Sequence, residues 1–313
     1  MSFCVLFPGQ GSQHVGMGAD LFEARPDLLE ETADEVLGWS LREVCLEGPE
    51  EVLTSTDRAQ PALFALSYAL WDELAARLDG SCPVGAAGHS LGEYTALAAA
   101  GVIDYPAALS LVAARGRAMD QAADAEPSGM AALLGVEVDA AERLASSIRG
   151  NGGRLWVANI NAPGQVVMAG GTDDIASLTE RGRELGVRRV VPLKVSGAFH
   201  SPLMLPAVEP LREALAAVSF NPPAFPVWSN VTARPMPTDH VSALLARQVT
   251  APVLFATILE GMAAAGATRF VHVGPGDVTT AMAKRTVPDA EVFTVNAIGE
   301  IEETVERLMA PVR

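Results

Sequence analysis

Cysteine is scarce. Cys4, Cys45 and Cys82 are scattered through 313 positions. Their odd number and wide spacing give neither a disulfide framework nor a metal-ligand cluster, so no metal is expected. Basic residues are also few, 22 Lys and Arg against 38 Asp and Glu, for a net charge of −16. A nucleic-acid partner needs a basic footprint and is excluded on that ground. Long apolar runs are missing, so no helix is expected to span a membrane. Met1 to Gln10 has no basic start and reaches Pro8-Gly9 after five apolar residues, too short for a signal peptide. Repeats and low-complexity segments are absent. A soluble, cytoplasmic protein is expected.

What is present is the material of a core. Hydrophobic residues make up 49% of the chain and charged residues 19%, which argues against disorder. At ~150 residues per domain, this length gives two domains or one large domain with an insertion. Charge is uneven: residues 1–100 carry 16 acids and 4 bases, whereas residues 111–194 carry 10 of each. Arg181, Arg183, Arg188, Arg189 and Lys194 crowd the end of that second stretch. They read either as a solvated face or as a docking patch for an acidic partner.

Along the chain, Phe3 to Phe7 reads as a buried strand feeding the glycine-rich loop Gly9-Gln10-Gly11-Ser12-Gln13. Helical stretches are predicted at Pro26–Leu37, Leu41–Leu53, Gln60–Leu78, Glu93–Ala100 and Tyr105–Ala123. Pro83–Ala87 is strand-like and runs into Gly88-His89-Ser90-Leu91-Gly92. After residue 126 the character changes. Strand-like Met130–Gly135, Leu155–Ile160, Gln165–Ala169 and Arg189–Val195 alternate with helical Asp139–Ile148 and Asp173–Leu185. That β-α-β-β-α-β order is the ferredoxin-like pattern. The fold class expected is α/β. An α/β-hydrolase-like parallel-sheet domain (residues 1–126 and 197–313) is interrupted by a ferredoxin-like subdomain (residues 127–196). Pro226–Trp228 and Arg269–Val273 are expected to complete the parallel sheet.

The strongest chemical signal is Gly88-His89-Ser90-Leu91-Gly92, a G-x-S-x-G pattern between a strand and a helix. A nucleophilic serine must stand out from a tight turn, and flanking glycines let backbone pack there. The helix beneath offers free N–H groups to a developing oxyanion. A serine needs a base, and the five histidines are His14, His89, His200, His240 and His272. His200 lies in Ser196-Gly197-Ala198-Phe199-His200-Ser201-Pro202, a loop after a predicted strand. No Asp in an obvious strand-end loop completes a triad.

Seven motifs occur in order: Phe7-Pro8-Gly9-Gln10-Gly11-Ser12-Gln13, Gln60-Pro61-Ala62, Gly88-His89-Ser90-Leu91-Gly92-Glu93-Tyr94, Arg115-Gly116-Arg117-Ala118-Met119, Gly164-Gln165-Val166-Val167, Gly197-Ala198-Phe199-His200-Ser201 and Val273-Gly274-Pro275-Gly276. Together they resemble malonyl-CoA:acyl-carrier-protein transacylase across essentially the whole chain. The resemblance implies the interrupted fold above. It makes Ser90 the nucleophile and His200 its base, oriented by a backbone carbonyl rather than an Asp. It places the oxyanion in the backbone N–H groups of Gln10 and Leu91, and the malonyl carboxylate on Arg115. Phe199 before the histidine goes with malonyl rather than methylmalonyl. The orienting carbonyl is expected at Leu254, within Pro252-Val253-Leu254-Phe255. No permanently bound cofactor is implied, and a coenzyme A thioester is the substrate. The implied partners are malonyl-CoA and an acyl carrier protein, in fatty acid or polyketide synthesis; an acidic chain must meet an acidic carrier through a local basic patch, and Arg181, Arg183, Arg188 and Arg189 are expected to supply it.

The sequence departs from the resembling family at Leu254, where a polar residue is usual, and at Asp277, where Lys is common. The Thr279-Thr280-Ala281-Met282 run also differs. A serine hydrolase would share the elbow but leave Gln10-Gly11 and Arg115 without a role. A non-catalytic interaction protein of the same fold would not need Ser90, His200 and Arg115 together.

Overall fold

The computed structural model describes residues 2–310. Two four-stranded sheets organise it. The first is parallel, in the order β2-β1-β7-β8. It contains β1 (Phe3–Phe7), β2 (Gly85–Gly88), β7 (Arg269–Val273) and β8 (Glu291–Val295). β1 is buried along its whole length, as expected for a central parallel strand covered on both faces. Its last residue, Phe7, pairs with Gly88, so the glycine-rich loop and the serine elbow leave the sheet side by side.

The second sheet is antiparallel, in the order β4-β5-β3-β6. Its strands are β3 (Ser128–Leu134), β4 (Leu155–Ala162), β5 (Gln165–Gly171) and β6 (Arg189–Pro192). Strands and the helices Val138–Gly150 and Thr172–Arg181 follow the predicted β-α-β-β-α-β order. Alternation along β3 divides its burial. Ala131 and Leu133 join Ala141, Ala145 and Leu178 under those two helices. Met130 and Ala132 join the core of the parallel-sheet body. β4 is also stitched to that body: Ile160 N–H donates to the Val253 carbonyl, and Val253 N–H to Ala158.

Two long helices, Thr56–Ala76 and Tyr105–Ala125, pack closely against each other. Gly116 permits that approach, since a Cβ there would lie 3.0 Å from the Thr56 carbonyl oxygen. Asp104 caps the second helix, accepting from Ala107 N–H at 2.9 Å.

Several predicted boundaries shift for plain reasons. Leu41–Leu53 splits into Leu41–Leu46 and Glu50–Thr54, separated by Gly48-Pro49. The strand predicted to Val195 stops at Pro192, and the helix predicted to Leu185 stops at Arg181 before Gly182. Pro226–Trp228 adds a single parallel bridge to Ala86 rather than a strand, since Pro226 has no N–H to extend the ladder. β8, at the sheet edge, was not anticipated; its outer residues are only partly buried.

Candidate active site

Ser90 stands on a strained turn between β2 and the helix Gly92–Ala99, with φ of 52°. Bare backbone around it makes the turn possible. A Cβ on Gly88 would lie 1.9 Å from the Gly92 carbonyl, and one on Gly92 would lie 2.4 Å from the Phe7 oxygen. Asn230 clasps the turn from both sides. Its Oδ1 accepts from Ser90 N–H at 2.7 Å, and its Nδ2 donates to the Gly88 carbonyl at 2.8 Å.

His200 Nε2 lies 2.8 Å from Ser90 Oγ, and its Nδ1 lies 2.9 Å from the Gln248 carbonyl oxygen. A carbonyl can only accept, so Nδ1 carries the proton and Nε2 offers its lone pair to the serine. Burial and then the nearby Arg115 charge push the imidazole down to about 3, so it is neutral at physiological pH.

The carbonyl that meets His200 Nδ1 is therefore that of Gln248, not the expected Leu254. Gln248 ends the helix Val241–Gln248, and the last carbonyls of a helix have no intrahelical donor. Leu254 precedes the helix Phe255–Ala264, where its own carbonyl accepts from Ile258 N–H at 3.0 Å. Its N–H donates to Asn230, so its backbone is engaged at both ends.

Arg115 is fully buried. Its Nη1 donates to Gln60 Oε1 at 2.5 Å, and its Nη2 donates to Gln248 Oε1 at 2.9 Å and to Ser90 Oγ at 3.0 Å. The guanidinium also lies over the Tyr94 ring, 5.3 Å from its centroid. Among the described residues it forms no ion pair, and its Nε has no partner. Such a cation, desolvated and held by neutral amides, is a built receptor for an anion.

Ser90, His200, Arg115, Gln10, Leu91 and Phe199 all line one cavity of about 80 Å³. Met119, Met130, Leu193 and Val195 supply its apolar wall, so the cavity lies between the two sheets. Among the described residues the N–H groups of Gln10 and Leu91 meet no acceptor. No group of His, Cys, Asp and Glu among the described residues is placed to hold a metal ion.

The acyl transferase domain family matches residues 4–309. The chain belongs to that family. It is 38% identical over 306 residues to the malonyl CoA-acyl carrier protein transacylase of Bacillus subtilis, covering 97% of this chain and 96% of that one. It is 40% identical over 294 residues to the polyketide biosynthesis malonyl CoA-acyl carrier protein transacylase PksC of the same organism, covering 92% and 98%. Among solved structures, an acyl carrier protein S-malonyltransferase from Vibrio cholerae superposes with a TM-score of 0.91. It is 39% identical, with 97% of this chain and 100% of that one covered. A type II polyketide acyl-carrier protein in complex with its malonyl-transacylase gives 0.92 at 36% identity, with 98% and 100% covered.

The remaining expectations separate cleanly in this acyl transferase. His89 is no base for Ser90: its Nε2 faces Asn161 Oδ1 at 2.8 Å, and burial lowers its pKa. His272 is locked between Thr279 and the Gly274 carbonyl, while His14 and His240 are exposed. Arg181, Arg183, Arg188 and Arg189 are exposed on the antiparallel-sheet unit and outside the cavity. Asp277 is exposed and does not line it either. Sequence reasoning missed Gln248 and Asn230, and assigned no role to Gln60 or Glu93. One signal was available for Gln60: an amide on the apolar face of a helix, among Leu63, Leu66 and Leu70.

Proposed function

We propose that the protein moves a malonyl group from coenzyme A to the phosphopantetheine thiol of an acyl carrier protein, through an ester on Ser90, in fatty acid or polyketide synthesis. Ser90 Oγ attacks the thioester carbonyl while His200 Nε2 takes its proton. The oxyanion rests on the N–H groups of Gln10 and Leu91. The tetrahedral intermediate collapses, the C–S bond breaks, and His200 returns the proton to the departing thiol. The carrier thiol then attacks the serine ester. His200 accepts its proton and delivers it to Ser90 Oγ as the C–O bond breaks.

The observation that carries the reading is Arg115, a buried guanidinium without an ion-pair partner among the described residues, 3.0 Å from the nucleophile. A planar fork of donors suits a carboxylate, and an acetyl group would leave that charge unmatched. Phe199, 6% exposed and on the cavity wall, would crowd an α-methyl branch. The names of the relatives above point the same way.

The scaffold reads as an α/β-hydrolase-like body, residues 1–126 and 197–313, with a ferredoxin-like unit, residues 127–196. Supporting that reading are the elbow after β2 and the β4-β5-β3-β6 order. Arg181, Arg183, Arg188 and Arg189 are read as the docking surface for the acidic carrier. No permanently bound cofactor enters the reaction. A cytoplasmic location suits a coenzyme A donor, and no described helix is long and apolar enough to cross a membrane.

The test is intact-protein mass spectrometry after brief exposure to malonyl-, methylmalonyl- or acetyl-CoA, with Ser90→Ala as control. A malonyl adduct on the wild type alone is expected. Equal labelling by acetyl-CoA would overturn the role of Arg115, and malonyl labelling of Ser90→Ala would overturn that of Ser90.

A further inference from the structure

Glu93 begins the helix beneath the serine and is 1% exposed, yet nothing in the chemistry above uses it. Each of its carboxylate oxygens takes a different donor. Oε1 accepts from Asn230 N–H at 3.0 Å, and Oε2 accepts from Gln248 Nε2. Those two partners divide the site between them. Asn230 clasps the Ser90 turn. Gln248 donates through Nε2 to the Ser90 carbonyl at 2.9 Å, accepts Arg115 on Oε1 and orients His200 with its backbone carbonyl.

The donor pattern has one solution. Arg115 has only donors, so Gln248 must present Oε1 to it and Nε2 to Glu93. Asn230 also presents an N–H. Glu93 therefore faces donors at both ends and must accept at both, which an ionised carboxylate does and an amide does not. Burial raises the Glu93 pKa to about 7, while the two hydrogen bonds and the Arg115 charge act against that rise.

We infer that Glu93 is a positioning residue for acyl transfer: its carboxylate fixes Asn230 and Gln248 together, and through them the Ser90 turn, the His200 base and the Arg115 receptor. The inference rests on the transfer reaction proposed above for the consequence it draws, that malonyl transfer depends on Glu93 more steeply than acetyl transfer does. Only malonyl uses Arg115, which Glu93 reaches through Gln248.

Glu93→Gln tests it, because the change is isosteric and a packing role would tolerate it. The amide sets donor against donor at Asn230 or at Gln248, and Gln248 cannot turn without setting its NH₂ against Arg115. Disturbing a buried charged hydrogen bond predicts a loss of malonyl acylation of about ten- to hundredfold. The malonyl-to-acetyl labelling ratio should fall with it. Glu93→Asp leaves Gln248 and Arg115 untouched and keeps the charge, but its shorter carboxylate cannot hold both Asn230 N–H and Gln248 Nε2, so the ratio should fall by less than in Glu93→Gln. Should Glu93→Gln fail to fold, Glu93→Asp still decides: a folded variant with a lowered malonyl-to-acetyl ratio supports the inference, and one with the wild-type ratio overturns it. Wild-type ratio and rate in folded Glu93→Gln would also overturn it. A fluorophosphonate that reacts with Ser90 whatever the acyl group keeps the two proposals apart. If the wild type takes no malonyl group, the transfer reading fails. Slowed fluorophosphonate reaction in Glu93→Gln would still support positioning of Ser90 and His200, and an unchanged rate would overturn it.

Discussion

Replacing Arg115 by Ala tests the selectivity of the site most directly. The change removes the donors to Gln60 Oε1, Gln248 Oε1 and Ser90 Oγ in one step. A malonyl carboxylate entering the cavity would then be buried without its partner, at a cost of about 3–5 kcal/mol. At about 1.4 kcal/mol per decade, malonyl kcat/KM should fall about 10²- to 10⁴-fold. Acetyl-CoA has no carboxylate and feels only indirect effects, which oppose one another. Gln248 loses a donor and holds His200 less firmly, while loss of a nearby cation raises the His200 pKa and strengthens the base. The malonyl-to-acetyl ratio should therefore fall by about 10²-fold or more. Initial rates of ester formation on Ser90, read by quenched mass spectrometry with each donor below saturation, measure it. Two buried acceptors are left unpaired, at about 1–3 kcal/mol each, so a thermal melt must confirm folding. A folded variant with a ratio within about threefold of wild type would refute the carboxylate role.

Four further outcomes follow. Since His200 is held near 3 and Glu93 near 7, any loss of acylation kcat/KM between about pH 8 and 5.5 should follow the Glu93 carboxyl and vanish from the profile of Glu93→Gln; an acid limb near 6.5 that persists in Glu93→Gln would contradict the depressed base. The unfolded chain binds protons at His200, His89 and His272 more readily than the folded one. Stability should therefore drop as pH falls below 6.5, with a lower urea midpoint at pH 5 than at 7; Glu93 acts in the opposite sense, one carboxyl against three histidines. Phe199→Ala should raise methylmalonyl labelling relative to malonyl by about tenfold or more, and an unchanged ratio would remove Phe199 from selectivity. Arg188→Glu with Arg189→Glu should raise the carrier-protein KM severalfold and leave acylation by malonyl-CoA intact; unchanged carrier kinetics would sink the docking surface.

Ser90, His200 and Arg115, which the fold brings into one cavity, stood out in the sequence because each sits in a short pattern set by local physics. Ser90 needs glycines on both sides of a tight turn, and Gly88 and Gly92 are there. The two sheets were legible because strands and helices alternate with different periods in each half. Gln248 and Asn230 were not legible. Their roles come from long-range closure, across 48 residues from Gln248 to His200 and 140 from Asn230 to Ser90. Nothing local marks either residue. The misplaced orienting carbonyl at Leu254 has the same origin. A carbonyl is orphaned by where a helix ends, and helix ends are the least certain part of a sequence reading.

A serine elbow with a histidine base serves hydrolysis as well as transfer, so the choice of acceptor must come from the walls. Gln10, Gln60, His89 and Asn159 stand beside Ser90, Arg115 and His200 in the cavity of about 80 Å³. The wall formed by Met119, Met130, Leu193, Val195 and Phe199 carries no side-chain nitrogen or oxygen, and the Met119 sulfur is already engaged, accepting from Gln60 Nε2 at 3.6 Å. An ordered water needs about two to four polar partners, and that wall supplies none. A water lying against that wall is therefore poorly held, whereas a thiol arrives on a long arm that brings binding energy of its own. On the proposed reaction the apolar wall and the buried cation act on different partners: Arg115 would select the acyl group, and the wall would favour a thiol over water as its acceptor.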